Sequence, residues 1–235
     1  TEDLVNTTAA ETLIAASNFI AAIDTFPTMN SLISLDLSNN FLSEFPNLVN
    51  VSLTLNSLVL NGNQIAYISP ERLDALSVVL HIHLNKNRLT TIPDVSGPSN
   101  TLQYLGLSNN DFTAFPTLRY LGKSIQRILL IDSPIKVVTD EDLDHLPSLI
   151  NLYLAGVGMT EFPYFPRNGP RLNILDLRRN AIQNVTVEQL KPLQNASTIK
   201  LHNNPLNTLP NFCFADYVPH FEVSIQSNSF VCDAT

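Results

Sequence analysis

The chain has 235 residues, of which 44% are hydrophobic and 14% charged, and its formal net charge is -8. The hydrophobic content excludes a disordered chain, and the acidic balance argues against binding to nucleic acid or to anionic membranes. No apolar run approaches the roughly 18 residues that a membrane-spanning helix needs, so the sequence predicts no direct membrane insertion in this segment.

The first 31 residues predict a degraded copy of the unit that follows. In this interpretation polar Asn18 takes the place of a core residue. A rival interpretation is a short helix opened by the capping box Thr8-Ala9-Ala10-Glu11. The framework of the degraded copy would be Leu13, Ala16, Asn18, Ala21 and Ile23.

From residue 32 to residue 212 one apolar frame returns eight times. Each copy has a leucine-like residue, two others, leucine, one other, leucine, two others and usually asparagine, as in Leu32, Leu35, Leu37 and Asn40. The last positions lie 23 or 24 residues apart, a period typical of a solenoid of stacked coils. They are Asn40, Asn63, Asn87, Asn110, Ser133, Val157, Asn180 and Asn204.

The second and third leucines alternate with other residues, as in Leu35-Asp36-Leu37. This period of two predicts a short strand with its leucines inward, and stacked strands would form a parallel sheet on the concave side. The asparagine follows where the chain must turn, and its amide can satisfy backbone groups that form no sheet bonds. These motifs resemble the extracellular-type leucine-rich repeat family over about 200 residues.

The return segments are of two kinds. Six contain an apolar-proline-any-apolar motif, at Pro27, Pro46, Pro93, Pro116, Pro163 and Pro210, which predicts extended backbone. Helical returns are predicted only in repeats 2, 5 and 7, which begin with Ser69-Pro70, with Thr139 before an acidic turn, and with the capping box Thr186–Gln189. The predicted fold is a right-handed α/β solenoid, or horseshoe, with mostly extended returns and a few short helices.

The C-terminal segment, residues 213–235, predicts a ninth partial repeat and a cap. Its sequence from Asn228 to Asp233 resembles the opening of the cysteine-bearing cap of secreted leucine-rich repeat proteins. That resemblance implies a Cys213–Cys232 disulfide, and two buried free thiols are the alternative. We expect one domain, residues 1–235, that is a piece of a longer ectodomain.

Four sequons, at Asn6, Asn50, Asn184 and Asn195, are candidate glycosylation sites. A chain this rich in asparagine, serine and threonine contains roughly four by chance, so the localisation argument rests on the cap. We therefore expect an extracellular or cell-surface protein, with a cytosolic scaffold as the alternative.

No catalytic or cofactor motif is found in the sequence. His81 and His83 share one side of a predicted strand and could ligate a metal ion, but the neighbouring positions offer no third acidic or cysteine ligand. Serines lack a paired base and acid. We expect neither an enzyme nor a metal or cofactor site.

The outward strand positions predict a binding surface on repeats 4 to 8. Exposed aromatic, arginine and aliphatic residues together are typical of interface hot spots. The predicted function is recognition of a protein or peptide on the concave face, and the alternative is a structural or adhesion protein that self-associates, for example as a homodimer. The predicted contact residues are Tyr104, Arg127, Leu129, Ile131, Tyr153, Ile174, Asp176, Arg178 and Arg179.

Overall fold

The computed structural model describes residues 9–95, 101–119 and 121–207, and the backbone of residues 222–224. Three-residue parallel strands stack in chain order into one open sheet, and adjacent strands pair without a register shift. This arrangement confirms the predicted solenoid. The strands are β1 Thr12–Ile14, β2 Ser34–Asp36, β3 Ser57–Val59, β4 His81–His83, β5 Tyr104–Gly106, β6 Arg127–Leu129, β7 Asn151–Tyr153, β8 Ile174–Asp176, β9 Thr198–Lys200 and β10 Glu222–Ser224.

The core is a continuous stack of the repeated leucines. Leu35, Leu58 and Leu105 are the middle residues of their strands and are almost fully buried. Phe45 and Phe165 from the proline-containing returns are buried against the opposite side of the same core. Because each coil is only one strand and one return thick, its apolar face is covered mainly by the coils on either side.

A ladder of asparagines joins the coils behind the strands. Nδ2 of Asn63 donates to the carbonyls of Leu60 in its own coil and Leu37 in the preceding coil, both at 3.0 Å, and its Oδ1 accepts from the amide of Leu42 at 3.0 Å. Every member thus satisfies buried backbone groups of two coils. The same contacts are made by Asn40, Asn87, Asn110, Asn180 and Asn204.

The residue before each ladder position has a left-handed backbone conformation. The φ angles lie between 54° and 68°, although only two of the occupants are glycine. Such a conformation costs a residue with a Cβ atom roughly 1–2 kcal/mol, so the ladder bonds must hold the turn in place. The occupants are Ser17, Asn39, Gly62, Lys86, Asn109, Asp132, Gly156, Arg179 and Asn203.

The ladder is interrupted at Ser133 and Val157. Ser133 offers only its Oγ, which accepts from the amide of Asn110 at 3.4 Å. The amide of Ile135, whose counterparts in other coils donate to an asparagine, donates instead to the carbonyl of Ser133 at 2.8 Å. Lys136 takes a further positive φ of 67°. The turn between β6 and the return of repeat 5 therefore differs from the others because its asparagine partner is missing.

A second clamp joins the returns of repeats 5 and 6. The buried carboxylate of Asp140 accepts from the amide and Nε of Arg167, at 3.2 and 2.7 Å, and from the amide of Asn168 at 3.1 Å. Burial alone would raise the pKa of Asp140, but the hydrogen bonds from Arg167 and Asn168 outweigh it and lower the pKa. This clamp bridges the two coils between which the ladder asparagine is absent.

The returns are partly as predicted. Helix α1 spans Pro70–Asp74 with Ser69 as its cap, and α2 spans Val187–Leu190 behind the Thr186–Gln189 capping box. The prediction that repeats 2, 5 and 7 alone have helical returns is wrong, because after a proline-directed extended segment the chain must still turn back to the next strand. Short 3-10 turns make this connection in repeats 1, 4 and 6, at Val49–Val51, Gly122–Ser124 and Gly169–Arg171, and others lie at Glu141–Leu143 and Lys191–Leu193.

The first coil is a degraded repeat, but its predicted register is wrong. Leu13 pairs with Leu35, so it is the second leucine of the frame and not the first. Asn18 is exposed and its Nδ2 donates to the carbonyls of Ala15 and Ala16, at 3.1 and 3.0 Å, so it takes a ladder position rather than a core position. The rival helix after Glu11 is also wrong, because β1 follows there.

The partial ninth repeat is described only at β10, which pairs in parallel with β9. Cys213, Cys232 and Asn6 lie outside the described residues. The disulfide and the domain limits at residues 31 and 213 therefore stay predictions.

We expect Asn87→Val to lower the free energy of unfolding by about 3 kcal/mol, because it leaves the buried amide of Ile65 without its acceptor and removes one of the two asparagine donors to the carbonyl of Leu60. Urea denaturation of the variant and of Asn184→Val, an exposed position, measures this. The control should change by no more than about 0.5 kcal/mol. Equal losses in both variants would contradict a stabilising role for the ladder.

We expect Asp140→Asn to lower the free energy of unfolding by about 3 kcal/mol at pH 7. Since the folded pKa of Asp140 is lowered, its contribution is complete above its unfolded pKa of about 4 and is lost as the pH falls through the folded value. The difference from wild type should therefore shrink when urea denaturation is repeated near pH 3. Exposed Glu161→Gln is the control, and a difference that does not change with pH would argue against the clamp.

Candidate partner-binding face

The outward side chains of the strands form columns across the concave face. Strand pairing aligns Tyr104 with Arg127, Arg127 with Asn151, and Asn151 with Ile174. It aligns Leu129 with Tyr153 in the neighbouring column. The structure thus places eight of the nine predicted contact residues at outward positions of the strands or two residues after a strand ends. The ninth, Arg179, lies in the left-handed turn behind the strand.

The centre of the face is apolar on β6, β7 and β8. We call Leu129, Ile131, Tyr153 and Ile174 the apolar strip; all four are half-buried, so part of each side chain remains accessible. Arg127, at the near end of β6, is exposed. A half-buried apolar surface beside an arginine is the composition found at interface hot spots.

Asp176 is not available for contact as predicted. It is fully buried, and its two oxygens lie 2.8 and 2.9 Å from Nε of Arg178 and 2.6 Å (Oδ2) from Nη2. These hydrogen bonds raise the pKa of the Arg178 guanidinium above its ordinary value. The carboxylate therefore acts as a support that fixes the orientation of the arginine.

Arg179 is held by a pair that spans two coils. Its Nη1 lies 3.1 Å from Oδ1 of Asp132, and its Nη2 donates to Oδ2 at 3.1 Å. The pair passes over Gly156, where a Cβ atom would lie 2.3 Å from Oδ1 of Asp132. Sequence reasoning missed Asp132 because 47 residues separate it from Arg179 and no local pattern links them.

Tyr104 belongs to a separate aromatic cluster rather than to the apolar strip. Its ring centroid lies 4.5 Å from that of His83 and 6.2 Å from that of His81. The ring leans over Gly106, where a Cβ atom would come within 3.2 Å of Cε1. Burial raises the pKa of Tyr104, while burial and the nearby His81 lower the pKa of His83. Both shifts favour the uncharged forms of Tyr104 and His83.

A polar ladder on the third outward position was also missed by sequence reasoning. Oδ1 of Asn61 accepts from the amide of Asn85, and Oδ1 of Asn85 accepts from the amide of Ser108, both at 2.9 Å. Oγ of Ser108 accepts from the amide of Ile131 at 3.1 Å. The ladder stops at Ile131 because that side chain has no acceptor, and the apolar strip begins there.

A second concavity, of about 590 Å³, lies among the returns of repeats 5 to 7 rather than on the concave face. Its walls carry half-exposed Tyr164 and exposed Val137 together with charges of both signs. Because both signs of charge line it, the concavity has no preference for an anion or a cation.

Within the part of the chain that the structure describes, no three histidine, cysteine, aspartate or glutamate side chains are grouped to hold a metal ion. Nor is any described helix long and apolar enough to cross a membrane. Of the sequons, Asn50, Asn184 and Asn195 are exposed. Nδ2 of Asn50 donates to the carbonyl of Phe26 and that of Asn195 to the carbonyl of Pro170.

Known proteins similar to this chain are built from the same repeat. Residues 54–112 and 31–50 match leucine-rich repeat profiles. Tsukushi of Gallus gallus is 30% identical over 206 residues, which cover 82% of this chain and 54% of that protein. Podocan of Mus musculus is 31% identical over 186 residues, covering 75% and 29% of the two chains. The structure of a TLR13–ssRNA13 complex superposes with a TM-score of 0.70 at 21% identity, covering 91% of this chain and 36% of that one.

These comparisons extend over only part of each relative. The chain spans about half the length of Tsukushi and less than a third of podocan. The relatives are secreted or receptor leucine-rich repeat proteins and are not enzymes.

Proposed function

The chain belongs to the leucine-rich repeat family, and we propose that it is a non-enzymatic recognition domain that binds a protein or peptide partner on its concave face. The observation that carries this proposal is the apolar strip, an accessible apolar surface on a rigid sheet with Arg127 and Arg178 beside it. Such a surface is more typical of a binding interface than of a surface that contacts only water.

Rigid display is the mechanism that we propose. Each strand is fixed to its neighbours by backbone pairing, and Arg178 is fixed by buried Asp176. Little conformational entropy is then lost when a partner docks, so more of the contact energy appears as affinity. Tyr153 adds a large side chain with few rotatable bonds at the centre of the strip.

The alternative from another class is an adhesion protein that self-associates through this face or through the N-terminal end. Phe19 and Phe41 are exposed near that end and stack with their ring centroids 5.9 Å apart. An exposed aromatic pair is also a surface that a second copy could cover.

We further propose that the protein acts outside the cell or on its surface, as part of a secreted protein or of a receptor ectodomain. Support comes from the relatives, which are secreted or receptor proteins, and from the cap-like sequence around Cys232. The exposed residues Asn50, Asn184 and Asn195 would then be available for glycosylation.

We expect Leu129→Asp and Tyr153→Ala each to abolish capture of a heterologous partner in pull-down experiments, because they place a charge or a cavity in the apolar strip. Phe41→Ala is the matched control at the N-terminal end. If the variants lose self-association, measured by light scattering, while capture of a heterologous partner is unchanged, the adhesion protein is favoured. If neither strip variant changes any contact, the proposed face is wrong.

We expect no titratable thiol in the denatured, non-reduced chain, since an extracellular protein would carry Cys213 and Cys232 as a disulfide. Titration with a thiol reagent before and after reduction measures this, and reduction should release both thiols. Two thiols before reduction would favour the cytosolic scaffold.

A further inference from the structure

Charge is distributed unevenly between the concave face and the rest of the molecule. The chain carries a formal net charge of -8. The outward positions of β6 to β9, and the positions two residues after the end of each strand, carry Arg127, Arg178 and Lys200 but only one acidic residue, Asp176. The face around the apolar strip is therefore basic on an acidic protein.

The single acidic side chain is already neutralised. Asp176 is fully buried and bonded through both oxygens to Arg178. Arg178 uses Nε and Nη2 for these bonds, and its Nη1 donates to none of the described residues. Within the same described ranges, Arg127 and Lys200 form no ion pair. Arg178 is neutralised in return by Asp176, so Arg127 and Lys200 are the two cationic groups that remain to meet an anion.

The positions of Arg127 and Lys200 determine how far apart two anionic groups on a partner would have to be. Lys200 lies three strands beyond Arg127, about 14 Å across the sheet, and one outward column over, about 7 Å along the strands, so the two Cα atoms are about 16 Å apart. The long side chains of Arg127 and Lys200 can shorten this separation by a few ångströms at their charged ends. An extended peptide advances about 3.3 Å per residue and turns alternate side chains to the same side. Residues four positions apart therefore both face the sheet about 13 Å apart, and the residue midway between them faces it too.

We propose that the partner of the concave face is an acidic–apolar peptide segment that lies across β6 to β9. Its two carboxylates, four residues apart, would meet Arg127 and Lys200, and its middle apolar side chain would contact the strip at Tyr153 and Ile174. This inference rests on the proposed function. The apolar strip between the cations favours a peptide over a polyanion such as RNA or a sulfated glycan, which offers no aliphatic group there.

The test uses the full chain and two fluorescein-labelled peptides, GSESLSEGS and GSKSLSKGS, with fluorescence anisotropy at about 50 mM salt. Wild type should bind the acidic peptide saturably and the basic peptide at least roughly tenfold more weakly. Arg127→Glu combined with Lys200→Glu should reverse that preference. Lys123→Glu combined with Lys191→Glu, the same charge change on the returns, should leave it unchanged.

Each contrary outcome has a defined meaning. Equal binding of both peptides that is lost in Leu129→Asp would overturn the acidic segment and leave concave-face recognition standing. Peptide binding that no concave variant alters would overturn both proposals. Absence of saturable binding of the acidic peptide, or tighter charge-dependent binding of a ten-nucleotide oligouridine or of heparin, would overturn the inference in favour of another partner class.

Discussion

The fold depends on how buried backbone groups behind the strands are satisfied. After each strand the chain turns inside the molecule, where amides and carbonyls can neither continue the sheet nor reach water. An asparagine such as Asn63 satisfies three of these groups at once, two of them in the preceding coil. This geometry requires a left-handed residue just before it, and it fixes the position of one coil on the next. Because of this contact, adjacent strands pair without a register shift, and their outward side chains line up in columns on the concave face.

The same constraint explains why the middle of the molecule differs from its ends. Ser133 and Val157 cannot make the asparagine contacts, and the backbone responds by rerouting the amide of Ile135 and by a second left-handed residue at Lys136. Asp140 joins the two coils from the other side of the core. The apolar strip lies on the strands in front of this region. The candidate face and the altered turns therefore occupy the same stretch of the solenoid, while the coils on either side keep the regular ladder.

Most of the fold was predictable because it is periodic. Eight copies of one frame identify the strands, and the alternation of leucines assigns each outward residue to its column. The exceptions are local. The first coil was misplaced because its leucine positions hold Leu13 and alanines, and the better guide was Asn18, which lies 22 residues before Asn40. At the site, composition identified the exposed arginines but could not show that buried Asp176 orients Arg178, or that Asp132 holds Arg179 from two coils away. Those contacts depend on rotamers and turn geometry, which no spacing rule encodes.

The distance along the chain from each strand to its ladder residue does not vary. The first strand residue and the ladder position are six residues apart in every repeat, from Ser34 and Asn40 to Thr198 and Asn204. The whole difference between periods of 23 and 24 therefore falls in the returns. Length is thus free to change on one side of the molecule only. A loop, an affinity tag or a whole inserted module could be accommodated in a return, whereas a single added residue between strand and asparagine would displace every coil that follows.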